Sequence, residues 1–280
     1  MNIVTTTCVF PPEHSVEGAL LRLAALGYRH LDLAIDYCVH NADCPILEDG
    51  WEKWANALRE LAEKNGVSYT HSHAFGDASL GERLFRCFEV CRVLGTKYTV
   101  VHPIRKRAEG GTIESDDEFL SINVPAYKAL LEEAEKNGVT VLSENLLWGA
   151  TIPPASISAL VEEVNSPYFG WCYDTGHANA KGLCAKTLLD VKHVPLSLHI
   201  HDNLGRRDDH SLPGDGTIDW KEFLDVLLEI GYKGDVVLEA HHQSLEAPDE
   251  QRDAILSELY KRAEKMKAYL LSKRRWHKAK

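Results

Sequence analysis

The chain has 280 residues, 44% of them hydrophobic, and a formal net charge of −11. This suits one large α/β barrel or two small domains with a substantial core. The acidic balance disfavours a nucleic-acid partner, which draws on clustered Lys and Arg, and no apolar stretch approaches the ~20 residues of a membrane span.

Short β-type runs alternate with longer helical ones from end to end. Ile3–Thr7 predicts a first strand and Ala19–Leu26 a helix with apolar residues three and four apart. The order continues with His30–Ile35, helix Trp51–Asn65, strand Ser68–His73, helix Leu80–Leu94, strand Tyr98–His102 and helix Phe119–Asn137. Thr140–Glu144, Phe169–Asp174, Leu196–His201 and Val236–Glu239 complete the strands; Ile157–Val164, the shorter Leu183–Val191, Trp220–Ile230 and Ala254–Leu271 complete the helices. Gly27, Gly66, Gly95, Gly138 and Gly231 each follow a helical run where a left-handed cap ends it. Asp219 and Glu222 form a capping-box variant. Eight strands alternating with eight helices predict an α/β fold, a (β/α)₈ TIM barrel in one domain over residues 1–280. A doubly wound open sheet is the alternative, but its Gly-x-Gly-x-x-Gly signature is absent.

The strands end on chemistry. Val139–Leu142 runs into Ser143-Glu144-Asn145, Tyr168–Tyr173 into Asp174-Thr175-Gly176-His177, Val194–Leu198 into His199-Ile200-His201-Asp202, Val236–Leu238 into Glu239, and Tyr98–Val101 into His102. The longer loops also follow strands, the side where this fold gathers its active site. Strand alternation turns Thr140, Leu142 and Glu144 toward the barrel axis, with Val141 and Ser143 toward the helices. Val237 and Glu239 turn inward likewise, and His199 and His201 share a face. Glu144, Asp174, His199 and Glu239 therefore converge from strands five to eight. Three carboxylates so close repel one another and resist desolvation. One divalent cation (Mn, Zn, Co or Mg) resolves the conflict, and no organic cofactor is expected.

Further candidates surround this set. His71 and His73 share a face on the third strand, so one of them is expected to be a hydrogen-bonded core residue; His102 ends the fourth, His177 follows Asp174 by three, and Asp208 and His210 sit in the seventh loop. Arg105-Lys106-Arg107 after the fourth strand, or Arg206-Arg207 after the seventh, offers a phosphate or carboxylate partner. Trp148 and Phe75 are candidate apolar walls, whereas Trp51 and Trp54, at helical spacing, read as packing residues. Seven cysteines without Cys-x-x-Cys read as reduced, mostly buried thiols. The basic tail Lys273–Lys278 reads as a solvated helix end. A start without a charged segment and long apolar run points to the cytoplasm.

Through Ser143-Glu144-Asn145, Asp174-Thr175-Gly176-His177, His199-Ile200-His201-Asp202-Asn203, Asp208-Asp209-His210, Pro213-Gly214-Asp215-Gly216 and Leu238-Glu239, the chain resembles the xylose isomerase-like TIM-barrel superfamily over nearly its whole length. That group includes sugar isomerases and epimerases, inosose isomerases and dehydratases, ketose 3-epimerases and endonuclease IV. The resemblance implies one metal on Glu144, Asp174, His199 and Glu239. His199 is preferred to His201 because the family's ligand precedes an acidic residue by three positions, here Asp202. It also implies Glu144 and Glu239 as the acid/base pair, and a small sugar, sugar phosphate or cyclitol ketone isomerised or epimerised through a metal-stabilised cis-enediolate. His177, His102, His73, Arg206, Asp208 and His210 are then expected around the substrate, and pairing into homodimers is an expectation of the same kind. The extra zinc ligands of endonuclease IV would fall on His73, His102, His177, Asp208 and His210. A metallo-phosphoesterase is thus the first alternative and a metal-dependent dehydratase or lyase the second. The acidic charge opposes DNA binding.

Overall fold

In a computed structural model, described for residues 1–40, 44–107, 110–113, 115–147 and 153–278, eight parallel strands form the barrel wall. They are β1 (Ile3–Thr6), β2 (His30–Ala34), β3 (Ser68–Asp77), β4 (Tyr98–His102), β5 (Thr140–Glu144), β6 (Phe169–Asp174), β7 (Ser197–His199) and β8 (Val236–Leu238). The hydrogen-bonded order is β7-β6-β5-β4-β3-β2-β1-β8. The last seam closes just past β7, where Ile200 bridges to Leu238: Ile200 N donates to Val237 O at 2.9 Å and Glu239 N to Ile200 O at 3.0 Å.

The helices are α1 (Val16–Ala25), α2 (Ile35–Cys38), α3 (Trp51–Lys64), α4 (Phe85–Leu94), α5 (Asp116–Lys136), α6 (Pro154–Val164), α7 (Thr175–Ala180), α8 (Trp220–Glu229), α9 (His242–Glu246) and α10 (Asp249–Lys278). The short α2, α7 and α9 lie within loops at the ends of strands and lack sequence counterparts. The predicted helix Leu80–Leu94 is divided. Residues Ala78–Leu84 are a 3₁₀ segment broken at Gly81, whose φ of 54° leaves helical space, and only Phe85–Leu94 is α. The predicted Leu183–Val191 helix is a 3₁₀ turn over Ala185–Asp190, a form favoured for short connectors. The five predicted cap glycines all have positive φ, and Glu222 N donates to Asp219 Oδ1 at 2.9 Å, as the capping reading requires.

The main core lies between sheet and helices. Leu31, Leu33, Val101, Val141, Trp171, Tyr173 and Leu198 face it from the strands, against Leu20, Leu23, Phe88, Tyr127, Leu160 and Phe223 from the helices. A smaller set, Val100, Leu142 and Cys172, packs separately inside the barrel. Strand alternation thus holds around Glu144: Leu142 is inside, Val141 is outside, and Ser143 meets Tyr127 of α5, whose hydroxyl lies 3.0 Å from Ser143 Oγ and donates to Val101 O at 2.6 Å. Trp54 donates to Glu17 at 2.8 Å and Trp51 lies under Arg86, so both pack as expected; Phe75 joins the core margin, and Trp148 lies outside the described residues. All seven cysteines are free thiols, buried except Cys184. The helical backbone of α10 continues through the basic tail, whose side chains beyond Arg274 lie outside the described residues. No described helix is long and apolar enough to cross a membrane.

Candidate active site

Strand ends β5 to β8 deliver the predicted quartet to one point. One ligand atom from each of Glu144, Asp174, His199 and Glu239 lies within 4.8 Å of the others. Glu144 is the hub: its Oε1 accepts from His199 Nδ1 at 2.8 Å and its Oε2 from His102 Nε2 at 3.1 Å, with His73 Nε2 at 3.6 Å. Glu239 reaches the same His199 nitrogen at 3.4 Å. Asp174 accepts from the His177 backbone at 2.6 Å and from His201 Nε2 at 3.0 Å. Asn145 locks the neighbouring strand ends, donating to Asp174 O and accepting from Asp174 N, both at 2.9 Å.

A second layer of imidazoles leans on Asp208 from the seventh loop. His177 Nε2 lies 3.0 Å and His210 Nε2 3.2 Å from Asp208 Oδ2. The other nitrogen of each ring donates to a carbonyl, His177 to Asn145 O and His210 to Glu239 O, both at 2.9 Å. With both nitrogens donating, each ring is an imidazolium. Burial opposes that charge, but Asp174 and Asp208 outweigh it and push His177 up to about 10; Asp208 and Glu239 lift His210 to about 9, and Asp36 with Glu144 lifts His73 to about 10. Burial likewise works against a charged His199, yet its pKa stands well above the usual value. The nearby Cys172 thiol is pushed up to about 12 by burial and so is neutral, which leaves Glu239 and Glu144 as the source.

These protons neutralise carboxylates that have no Lys or Arg partner among the described residues, and a cation can replace them. Ligands about 2.1 Å from one ion lie roughly 3 to 4.2 Å apart, and the quartet's ligand atoms, all within 4.8 Å of one another, are close to that spacing. One imidazole with three carboxylates is a hard, oxygen-rich set suited to Mn²⁺, Zn²⁺, Co²⁺ or Mg²⁺. The donor set fits.

A cavity of about 200 Å³ opens over this point, lined by Glu144, Glu239, His73, His102, His177, Asp208 and His210. Arg206 is left out: it is exposed on the seventh loop and does not line the cavity, because Asn203 and Gly205 turn that stretch outward onto Asn179 and Thr217. His71 is the expected core histidine, buried against Tyr98 with Nδ1 3.0 Å from Thr70 Oγ1. Missed in the sequence were Asp36, which faces His73 at 3.7 Å, and His241, which stacks on His210 at 4.2 Å between ring centroids. Position just past an inward strand end was the available signal for both. His201, set aside as a ligand in favour of His199, holds Asp174 and stacks on His210 at 3.9 Å between ring centroids.

The motif residues without direct chemistry shape the loops. Gly176 is required because a Cβ would overlap the His201 ring. Asp202, fully buried, organises the seventh loop by accepting from Asn203 N, Gly214 N, Ile218 N and Trp220 Nε1.

The profile of the xylose isomerase-like TIM barrel matches residues 20–261. The uncharacterised protein MJ1311 of Methanocaldococcus jannaschii is 29% identical over 201 residues, 65% of this chain and 67% of that protein. Among solved structures, a D-tagatose 3-epimerase-like protein superposes with TM-score 0.75 at 24% identity, covering 98% of this chain and 99% of that one. The IOLI protein, solved with a zinc atom, gives 0.73 at 20% identity over 98% and 99%. A 3-keto-D-glucoside 4-epimerase from E. coli gives 0.69 at 18% over 93% and 99%. At these identities the likeness to the solved structures is one of fold, while the profile spans most of the sequence, and the chain belongs to the xylose isomerase-like TIM-barrel family.

Proposed function

We propose that the protein is a divalent-metal-dependent isomerase or epimerase acting on a small sugar, sugar phosphate or cyclitol ketone. One observation carries the reading: two glutamates, Glu144 and Glu239, meet Asp174 and His199 beneath a cavity of about 200 Å³. The fold neighbours titled as ketose epimerases, and the zinc in the IOLI structure, support it. A dication held by the quartet would polarise a substrate carbonyl and acidify the adjacent C–H.

The chain's own groups do the rest. Glu144 enters from β5 and Glu239 from just past β8, so they approach a bound ketose from different sides. One takes the proton from the carbon beside the carbonyl; return by the other on the opposite face gives the epimer, and return to the neighbouring carbon interconverts aldose and ketose. His177 and His210, whose ring nitrogens are taken by Asp208 and by the carbonyls of Asn145 and Glu239, hold the cavity wall in place and set positive charge beside the substrate oxygens. Acid–base work of this kind contributes about 10²–10⁴-fold.

The test is solvent deuterium uptake at the carbon next to the carbonyl, across ketoses and inososes with metal-loaded protein. Uptake that falls at least ~10²-fold in Glu144→Gln and Glu239→Gln is expected; no uptake across the panel would remove the reading. A product lighter by one water would instead indicate a dehydratase. The flanking sets His73–Glu144–His199 and His201–His210–Glu239, each able to gather around an ion, favour one other reading, a metallo-phosphoesterase. It requires about three bound ions and cleavage of an abasic DNA duplex.

A further inference from the structure

We propose that the substrate carries an anionic group, a phosphate or carboxylate, and that Arg105 receives it. The inference rests on the sugar-isomerase reading and narrows its substrate class. Three residues past the end of β4, Arg105 lines two spaces at once. One is the site cavity above Glu144. The other is an adjoining cleft of about 750 Å³ whose walls include Asp77, Ser79, Lys106 and Ser121. Arg105 thus belongs to the walls of both.

Arg105 is half-buried, and its guanidinium makes no hydrogen bond or ion pair among the described residues. Every other described arginine that is not exposed has a partner. Arg22 takes Asp249 and Asp253, Arg59 takes Glu63, Arg86 takes Glu89, Arg107 takes Glu118, Arg252 takes Asp249, Arg262 takes Asp215 and Glu258, and Arg274 takes the Tyr232 carbonyl. The guanidinium of a partly buried arginine normally finds acceptors in the protein, since donors left idle away from bulk water cost free energy. In a chain of net charge −11, partners are abundant, so an unpaired one facing a cavity has its fork available to a ligand.

Among the described lining residues of that cavity, Arg105 is the one Lys or Arg; Asp36, Glu144, Asp208 and Glu239 supply the opposite charge. The quartet would hold the reacting end through a dication, and the cationic rings of His73, His177 and His210 are each already faced by a carboxylate, which leaves Arg105 as the lining cation with no acidic partner. That fixes which end enters. A phosphate or carboxylate pairs bidentately with guanidinium, and exposed Lys106 in the adjoining cleft adds a second cation.

Calorimetric titration of the metal-loaded protein with D-fructose, D-fructose 6-phosphate and D-fructuronate tests this, with wild type, Arg105→Gln and Arg105→Lys. One anionic ketose is expected to bind at least tenfold tighter than fructose, the stronger arm identifying phosphate or carboxylate. Arg105→Gln is expected to cut the anion-to-fructose affinity ratio about 10- to 100-fold, the range of one or two charge-assisted hydrogen bonds. Arg105→Lys should recover part of it, as a charge without the fork. Equal affinity for all three ligands, no binding of either anion, or an unchanged ratio in Arg105→Gln would overturn the proposal. Deuterium exchange in the same samples keeps the two claims apart. Exchange without dependence on Arg105 leaves the isomerase reading and removes this one, whereas Arg105-dependent anion binding without exchange does the reverse.

Discussion

Replacing Asp202 by Asn tests whether the carboxylate in the His-x-His-Asp motif is an organiser rather than a reactant. Asp202 Oδ1 accepts from Asn203 N at 2.9 Å and Ile218 N at 3.3 Å, and Oδ2 from Gly214 N and Trp220 Nε1, both at 2.8 Å. Asn is nearly isosteric, but one of its two positions is an NH₂ and would face two N–H donors. Two charge-assisted bonds are lost in a buried site, each worth about 1.5–3 kcal/mol, so the loss is about 3–6 kcal/mol. The backbone pairing of Asp202 with Ser211 and the carriage of Asp208 and His210 on the same loop mean that the damage spreads to the cavity wall. Denaturant unfolding of metal-depleted wild type and variant, compared at equal m-value, measures the cost. A loss below about 1 kcal/mol would refute the account of this loop.

Other consequences are measurable. Asp32 is buried inside the barrel, and burial raises its pKa to about 7 from an ordinary 3.8. Below pH 4 it is protonated folded and unfolded and has no effect; as pH rises from 4 to 7 only the unfolded chain ionises it, so folding loses up to about 4 kcal/mol. Asp32→Asn should therefore stabilise metal-depleted protein increasingly from pH 4 to 7 and level off above; a pH-independent difference in melting would contradict this. Gly176→Ala drives a methyl into the His201 ring, so deuterium exchange should fall at least tenfold while the circular dichroism of the barrel persists; full exchange activity would show that His201 does not position Asp174. Loading the metal must expel the proton from His199 Nδ1, whose pKa is held high by Glu239 and Glu144. Affinity should therefore rise with pH and binding should release protons into buffer; calorimetry in buffers of different ionisation enthalpy measures this, and zero proton release would count against His199 as a ligand.

The period-two alternation of short apolar runs made the barrel legible, and it also aimed Glu144: with Leu142 inside and Ser143 meeting Tyr127 outside, the carboxylate faces the axis. Glycines after helices marked boundaries because a left-handed residue has few other occupants. Loops were less legible, since their paths depend on contacts distant in sequence. Arg105 and Arg206 looked equivalent as loop cations, and only the turn of Asn203 onto Asn179 sends Arg206 outward. The role of Asp202 as a loop hub was not legible, because its four N–H partners lie up to 18 residues further along the chain. The expected strand Leu196–His201 spans only Ser197–His199 because Ile200 closes the seam with Leu238 while Asp202 pairs with Ser211.

Titration of chelator-treated protein with Mn²⁺ or Zn²⁺, beside Glu144→Gln and His199→Ala, addresses the central claim most directly. One tightly held ion per chain is expected, with affinity falling at least ~10²-fold in each variant. Failure of the wild type to retain an ion, or equal affinity in all three proteins, would contradict it.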